Sequence, residues 1–434
     1  MREKGIEKLK SELTFDPNLI PRVINISRIS KFDTAYSADC YVIVSTFGRS
    51  FRITEAMYNI LRQINGKRTL EELTRVIREQ ESLDAKPEDL WELFINHLRP
   101  RGLITFQKEK TRERTEKELT SNMPVRFIIL PQKLQLRLSR FLARCVSLPI
   151  LLGLLGAFIG LTMITRRPEQ NTATPLDLLA VFILFVIGAV IHELGHSAAA
   201  VRGGIQPGKI GMRFFVLFPV FSIDLNDGWT LNRKKRIELD LGGIGLQSAY
   251  GILLLIASSF IQSALVFDAA AITFTMTIFN LMPFPSFDGY WFLSDALGIP
   301  NLRKEGVAQV KAMLTRKKGK EEPWGKIATP IKIVILGYGV FTIFSSLLVV
   351  TFMYSFAVMF ISLVIALPAS IEQIGIAYLE GRMLDALSQI IGLGFMLIFL
   401  VGFSIMFIGI VLSFRPGLAR IYNRVRKNTA KTMT

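Results

Sequence analysis

The sequence predicts a polytopic α-helical membrane protein, with about six transmembrane helices, carrying a small N-terminal α+β domain of winged-helix-like build. Three observations predict it. Half of the 434 residues are hydrophobic and the mean hydropathy is +0.39, unusual for a chain that must cover itself with polar surface. Several apolar runs reach the roughly 20 residues that a helix needs to cross the hydrocarbon core. These runs begin only after residue 145, behind a stretch that reads as water-soluble.

The soluble domain is expected over residues 1–106. Met1 to Asp16 is charged and has no apolar core, so no cleaved signal is expected and the domain should stay cytoplasmic. A strand-like run from Tyr41 to Thr46 leads through Gly48 into a second, Arg49 to Ile53. Three helices should follow. The first covers about Thr54 to Ile64 and stops at Asn65-Gly66; the second opens at Thr69 with Glu72 three residues on, a capping-box spacing. The third opens near Pro87 and sets Leu90, Leu93, Phe94, His97 and Leu98 on one face, with His97 read as a packed residue.

Residues 107–144 read as a charged linker followed by an amphipathic segment lying along the membrane surface. A membrane core is expected over 145–300, a basic cytoplasmic loop over 301–332, C-terminal membrane helices over 333–414 and a basic tail over 415–434. The spans fall near 146–165, 177–201, 241–263, 268–284, 333–353 and 386–414. Thr174, Pro175 and Asp177 make a sound start for the second, with a cap, a first-turn proline and an acidic first turn. The apolar run 354–371 fits a re-entrant or outer-face segment.

Orientation follows from the preference of basic loops for the cytoplasm. The N-terminal domain, the Arg233–Arg236 cluster, Arg316-Lys317-Lys318 and the basic tail then share the inner side of a cell membrane. A net charge of +17 could serve nucleic acid or an anionic lipid surface. In the N-terminal domain, Arg62, Lys67, Arg68, Arg75 and Arg78 are interleaved with Glu71, Glu72, Glu79, Glu81 and Asp84, so no phosphate-facing stripe forms. Membrane lipids are the expected partners, and nucleic acid is not. Cys40 and Cys145 alone exclude a disulfide framework and a cysteine zinc cluster.

The chemistry is concentrated near the end of the second span, in Ile191-His192-Glu193-Leu194-Gly195-His196. Histidines at i and i+4 share one helical face, so both can bind one Zn²⁺, and Glu193 can reach water on that metal. Ionisable groups inside a membrane span are costly and rarely kept without purpose, which argues against an idle pair. A third ligand is available in Asn280-Leu-Met-Pro-Phe-Pro-Ser-Phe-Asp288-Gly-Tyr290. Pro283 and Pro285 should end the fourth span there, and Gly289 should let the chain turn Asp288 inward.

This pair of motifs resembles the site-two protease family of intramembrane zinc metalloproteases, which carries HExxH on one helix and NxxPxPxxDG on a later one. The resemblance implies His192, His196 and Asp288 as zinc ligands, Glu193 as the base, and Asn280 as a residue that holds the substrate or polarises its carbonyl. Phe287 and Tyr290 stand where many members have Leu and Gly, which would alter the pocket and leave the ligands. The stretch from Phe218-Pro219 through Asp227-Gly-Trp229 to Arg233–Arg236 and Asp240–Gly243 is similar to the bacterial branch of peptide zinc metalloproteases. The segment Arg213 to Ile223, aromatic and β-branched around Pro219, fits either a membrane-dipping β structure that takes substrate as an added strand or simple interfacial anchoring.

Residues 40–105 are similar to PqqD-like domains, which recognise leader peptides of ribosomally made, modified peptides. The resemblance is carried by Tyr41-Val-Ile-Val, Phe51-Arg-Ile, Asn65–Leu73 and Leu98 to Ile104, and it implies peptide contacts at Arg49, Phe51, Ile53, Trp91 and Phe94. Together these features predict a zinc metalloendopeptidase that acts on a peptide or transmembrane protein, in peptide maturation or regulated proteolysis, with a transporter as a possible partner. A non-proteolytic peptide-binding adaptor for export or immunity stays open, as does a membrane-tethered transcription regulator.

Overall fold

The computed structural model describes residues 14–35, 40–46, 50–81, 85–107, 127–169, 175–215, 218–284, 287–315 and 329–394, and a few positions beyond. In the N-terminal domain, β1 (Pro21–Val23), β2 (Ile26–Phe32), β3 (Cys40–Ser45) and β4 (Ser50–Thr54) precede α1 (Glu55–Gln63), α2 (Leu70–Glu81) and α3 (Pro87–Leu93), and β5 (Ile104–Phe106) closes the unit. β2, β3 and β4 form an antiparallel sheet in that order, while β1 pairs with β5. Sequence reading finds only β3 and β4. β1 and β5 are too short to show a period, and in β2 a register shift between Ile26 and Arg28 spoils the alternation.

Local signals fix the helix starts. Thr54 caps α1 by accepting from the Met57 amide at 3.3 Å. At α2 the capping box is complete: the Glu72 amide donates to Thr69 Oγ1 at 3.2 Å, and the Thr69 amide donates to Glu72 Oε2 at 3.0 Å. The third helix departs from its expected course. After Leu93 it widens into a π turn over Phe94–Leu98, which keeps Leu90, Phe94 and Leu98 buried and leaves His97 exposed rather than packed.

The second part contains β6 (Phe127–Ile128), α4 (Gln132–Leu142), α5 (Leu148–Ile164), α6 (Pro175–Gly203), β7 (Gly211–Phe215) and β8 (Phe218–Ser222). A 3-10 turn over Asn226–Thr230 leads into α7 (Arg233–Ile261), α8 (Ala264–Leu281), α9 (Asp288–Leu297), α10 (Leu302–Thr315), α11 (Thr329–Leu379) and α12 (Met383–Gly394). Among the described residues, four segments are long and apolar enough to cross a membrane: 177–203 of α6, α7, α8 and 357–379 of α11. α5, the start of α11 and α12 are shorter apolar helices. The chain is therefore a polytopic helical membrane protein with a small strand-containing domain at its N-terminal end. α7 is the hub, packing against α5, α6, α8 and α9.

Four expectations change. The Arg233–Arg236 cluster is the first turn of α7 rather than a loop, and Arg236 is buried. Residues 302–315 of the expected basic loop form α10, which packs on α11. The run 354–371 is neither re-entrant nor separate, because α11 continues unbroken from Thr329 to Leu379, through Pro368. No glycine or asparagine turn separates 353 from 354, and a division by span length alone had no local signal behind it. At about 1.5 Å per residue this helix exceeds twice the hydrocarbon thickness. Finally, the segment 127–142 does more than lie on a surface. β6 adds to β7 and β8, and Gln135 and Ser139 of α4 are buried against α6. Gln135 also accepts from the Ile210 amide and donates to the Gly208 carbonyl, anchoring the strand entry. Of the expected last span, most of 395–414 lies outside the described residues, as does the tail.

Candidate metal centre

His192 and His196 stand one turn apart on α6, their ring centroids 4.7 Å apart and their Nε2 atoms separated by 3.1 Å. Each ring is held from behind by α7. His196 Nδ1 donates to the Leu239 carbonyl at 2.8 Å, and His192 Nδ1 donates to Gln247 Oε1 at 3.0 Å. A carbonyl oxygen only accepts, so the proton of the neutral ring sits on Nδ1 and Nε2 presents its lone pair.

The chain returns to these rings through α8 and α9. Asp288, the first residue of α9, places Oδ2 at 3.0 Å from His192 Nε2 and 3.3 Å from His196 Nε2. That oxygen is buried and has no hydrogen-bond partner. Three lone pairs thus face one another with no donor among them, an arrangement that a cation relieves. Bonds of about 2.0–2.1 Å in tetrahedral geometry put ligand atoms about 3.3 Å apart, close to the spacing seen, so the donor set fits zinc.

Glycine makes room for this. A Cβ on Gly243 of α7 would lie 2.7 Å from His192 Nε2 and overlap His196 Nε2, so any side chain there would fill the space among the ligands. Gly289 has a different task from the turn expected of it: its Cβ would overlap the Leu281 carbonyl, so glycine lets the start of α9 press against the end of α8.

Glu193 is 9% exposed and lines, with both histidines and Asp288, a cavity of about 530 Å³. β8 residues Val220 to Ser222 form one wall, and Trp229, Trp291, Arg236, Asp240 and Asp295 complete much of the rest. Burial pushes the Asp295 carboxyl up, and Arg236, 2.8 Å away, pulls against that shift.

The structure therefore brings His192, His196, Asp288 and Glu193 to one cavity. Asn280, half-buried on the last turn of α8, is not among its lining residues. Ile53 and Phe94 are buried in the core of the N-terminal domain, so they shape it rather than present surface to a peptide; Phe51 and Trp91 pack against that core and remain partly exposed. Arg49 lies outside the described residues. Sequence reasoning missed Gln247 and the role of Gly243, which it named only within a resemblance. The signal for Gln247 was available, since an uncharged polar residue amid the apolar third span needs a partner.

Two curated proteins share sequence with this chain. YydH of Bacillus subtilis (strain 168) is 30% identical over 117 residues, 26% of this chain and 46% of its own, and its name assigns it provisionally to the peptide zinc metalloproteases. Zinc metalloprotease MJ0392 of Methanocaldococcus jannaschii is 27% identical over 138 residues, 32% of this chain and 35% of its own. The distant relatives are zinc metalloproteases by name. The chain spans less than half the length of either relative. No family model matches the chain, and no solved structure matches it.

Proposed function

We propose that this chain is an intramembrane zinc metalloendopeptidase of the site-two protease kind, hydrolysing a peptide or small membrane protein near the cytoplasmic face. One observation carries the proposal: two imidazole Nε2 atoms and an orphaned carboxylate oxygen converge within 3.3 Å of one another beside Glu193. Zinc held there would supply an acidified water and a Lewis acid for the scissile carbonyl. Glu193 is the group placed to take a proton from the attacking water and return it to the leaving amine. Burial of the site among α6, α7 and α9 limits bulk water, which strengthens each electrostatic contact.

Substrate access is proposed along β8. Its inner side pairs with β7, its other edge carries no described strand, and its residues line the cavity. A transmembrane substrate unwound into a strand could add there, exposing its amides to the site. The N-terminal domain would capture a leader segment along β4, an outer strand of its sheet, near Phe51 and Trp91. Capture so close to the cleft raises the local substrate concentration, to about the millimolar range for short tethers. The N-terminal domain and the tail are proposed to be cytoplasmic.

The test uses the full chain in detergent, analysed for metal and mixed with a synthetic peptide carrying one apolar helical segment, its cleavage read by mass spectrometry. Wild type should hold one zinc and cleave the peptide. Glu193→Gln should keep the zinc and slow cleavage by about 10²–10⁴-fold. A protein without zinc, or a Glu193→Gln variant cleaving at the wild-type rate, refutes the proposal. Bound zinc with full cellular function in Glu193→Gln would point instead to a peptide-binding adaptor.

A further inference from the structure

We propose that Trp229 and Arg236 are positioning residues, through which the sheet of the N-terminal domain holds α9, and with it Asp288, in register with the two histidines. The inference rests on the metal-centre reading above.

The sheet has two covered faces. Along β3, Ile43 points into the domain's own core, while its neighbours Val42 and Val44 are buried on the opposite side with Phe32, against Trp229. The outer face of the sheet is thus seated on the turn that precedes α7. Ser50 Oγ adds a hydrogen bond of 2.7 Å to the Asn226 carbonyl in that turn.

From this seat, contacts run to both ends of α9. At its start, the Trp229 ring lies between Phe32 at 5.8 Å and Trp291 at 5.7 Å, and the Arg52 guanidinium stands 5.6 Å from it. Trp291 meets Tyr290 at 5.0 Å, and both sit in the first turn of α9 behind Asp288. At the other end, the Ala35 amide donates to the Gly298 carbonyl at 2.9 Å. Arg236 joins the same parts from α7 and is only 2% exposed. It donates to Asp295 Oδ1 of α9 at 2.8 Å, to the Leu231 carbonyl at 2.9 Å and to the Asp33 carbonyl of the N-terminal domain at 3.0 Å, while the Phe32 ring lies 4.2 Å away. Withdrawal of the domain would strand a buried guanidinium donor and expose Phe32, Val42 and Val44, which favours a seated domain.

α9 contributes one ligand, and it packs on α7, on the end of α8 and on Ile335 and Tyr338 of α11. To these helices the N-terminal domain adds contacts at both ends of α9, through Trp229 at its start and Ala35 at its finish.

The probe is Co²⁺ substituted into the full chain in detergent, read by its visible absorption and by loss of metal to a chelator. Phe32→Ala and Trp229→Ala should each alter the absorption bands and release the metal about tenfold faster, the low end for changes in groups that support metal ligands. Trp229→Phe should restore most of both. Arg62→Ala, on the helical side of the same domain, should leave both unchanged. Wild-type spectra and release rates in Phe32→Ala and Trp229→Ala would overturn the proposal. Phe32 lies outside the cavity and in another domain, so it decides the matter if Trp229→Ala fails to fold. No substrate enters these measurements: absent proteolysis leaves them standing, whereas a wild type that takes up no Co²⁺ overturns the metal centre and this inference together.

Discussion

α7 and the C-terminal half of α11 are both apolar enough to cross a membrane, with mean hydropathies of 1.8 and 1.9 over their best windows. Half of the best 18-residue window of α7 is buried inside the protein, and none of the best 18-residue window within 357–379 is. α7 carries Arg236, Glu238, Gln247 and Ser248 at buried positions, together with Gly242 and Gly243 where α6 comes close. The far half of α11 presents Tyr354, Val358, Ile361 and Ile365 outward, and Ser355, Ser362 and Ser370 donate to carbonyls of their own helix. Hydropathy therefore locates a span without saying whether it has neighbours. Buried polar groups and contact glycines do, because inside a bilayer only a packed partner can satisfy the former or require the latter.

The comparison can be broken at several points. The largest effect belongs to the ligands: His196→Ala or Asp288→Ala should reduce bound zinc from one equivalent to nearly none by elemental analysis, and a variant that retains it would remove the centre. Next comes Gly243→Ala, whose methyl group fills the space among the ligands; metal analysis should again show loss, while far-ultraviolet circular dichroism stays that of wild type. A smaller change is expected for Gln247→Leu. Loss of the acceptor behind His192 should weaken zinc by about 10–100-fold in a chelator competition, with cleavage recoverable by added zinc. The contrasting region sets the floor: Ile365→Ala should leave zinc binding alone and shift stability within about 0.5 kcal/mol. A large effect there would mean that the face has a protein partner.

Acid offers a further check on the same centre. Both imidazoles must be neutral to bind, so zinc should be retained near neutral pH and released as the pH falls and protons compete for Nε2. Metal retained equally well in strong acid would point to a different ligand set.

What the sequence determined by itself was whatever is encoded over a short span of chain. The helical face that joins His192 to His196 needs only a spacing of four, and the capping box at Thr69 and Glu72 needs only three. The spans announce themselves by length and apolarity, and the resemblance of the two motifs to a protease family names Asp288. Even so, β2 hid behind a bulge, α11 hid a continuous helix behind an expectation of average span length, and the π turn at Phe94 moved His97 off the buried face. The tertiary structure alone decided the long-range matters: that Asp288 lies within bonding distance of both rings, that Gln247 and the Leu239 carbonyl turn those rings outward, and that Arg236 is buried between two domains. Each depends on how helices distant in sequence approach one another, and that approach is set by close backbone contact and shared hydrogen bonds, which leave no periodic trace along the chain.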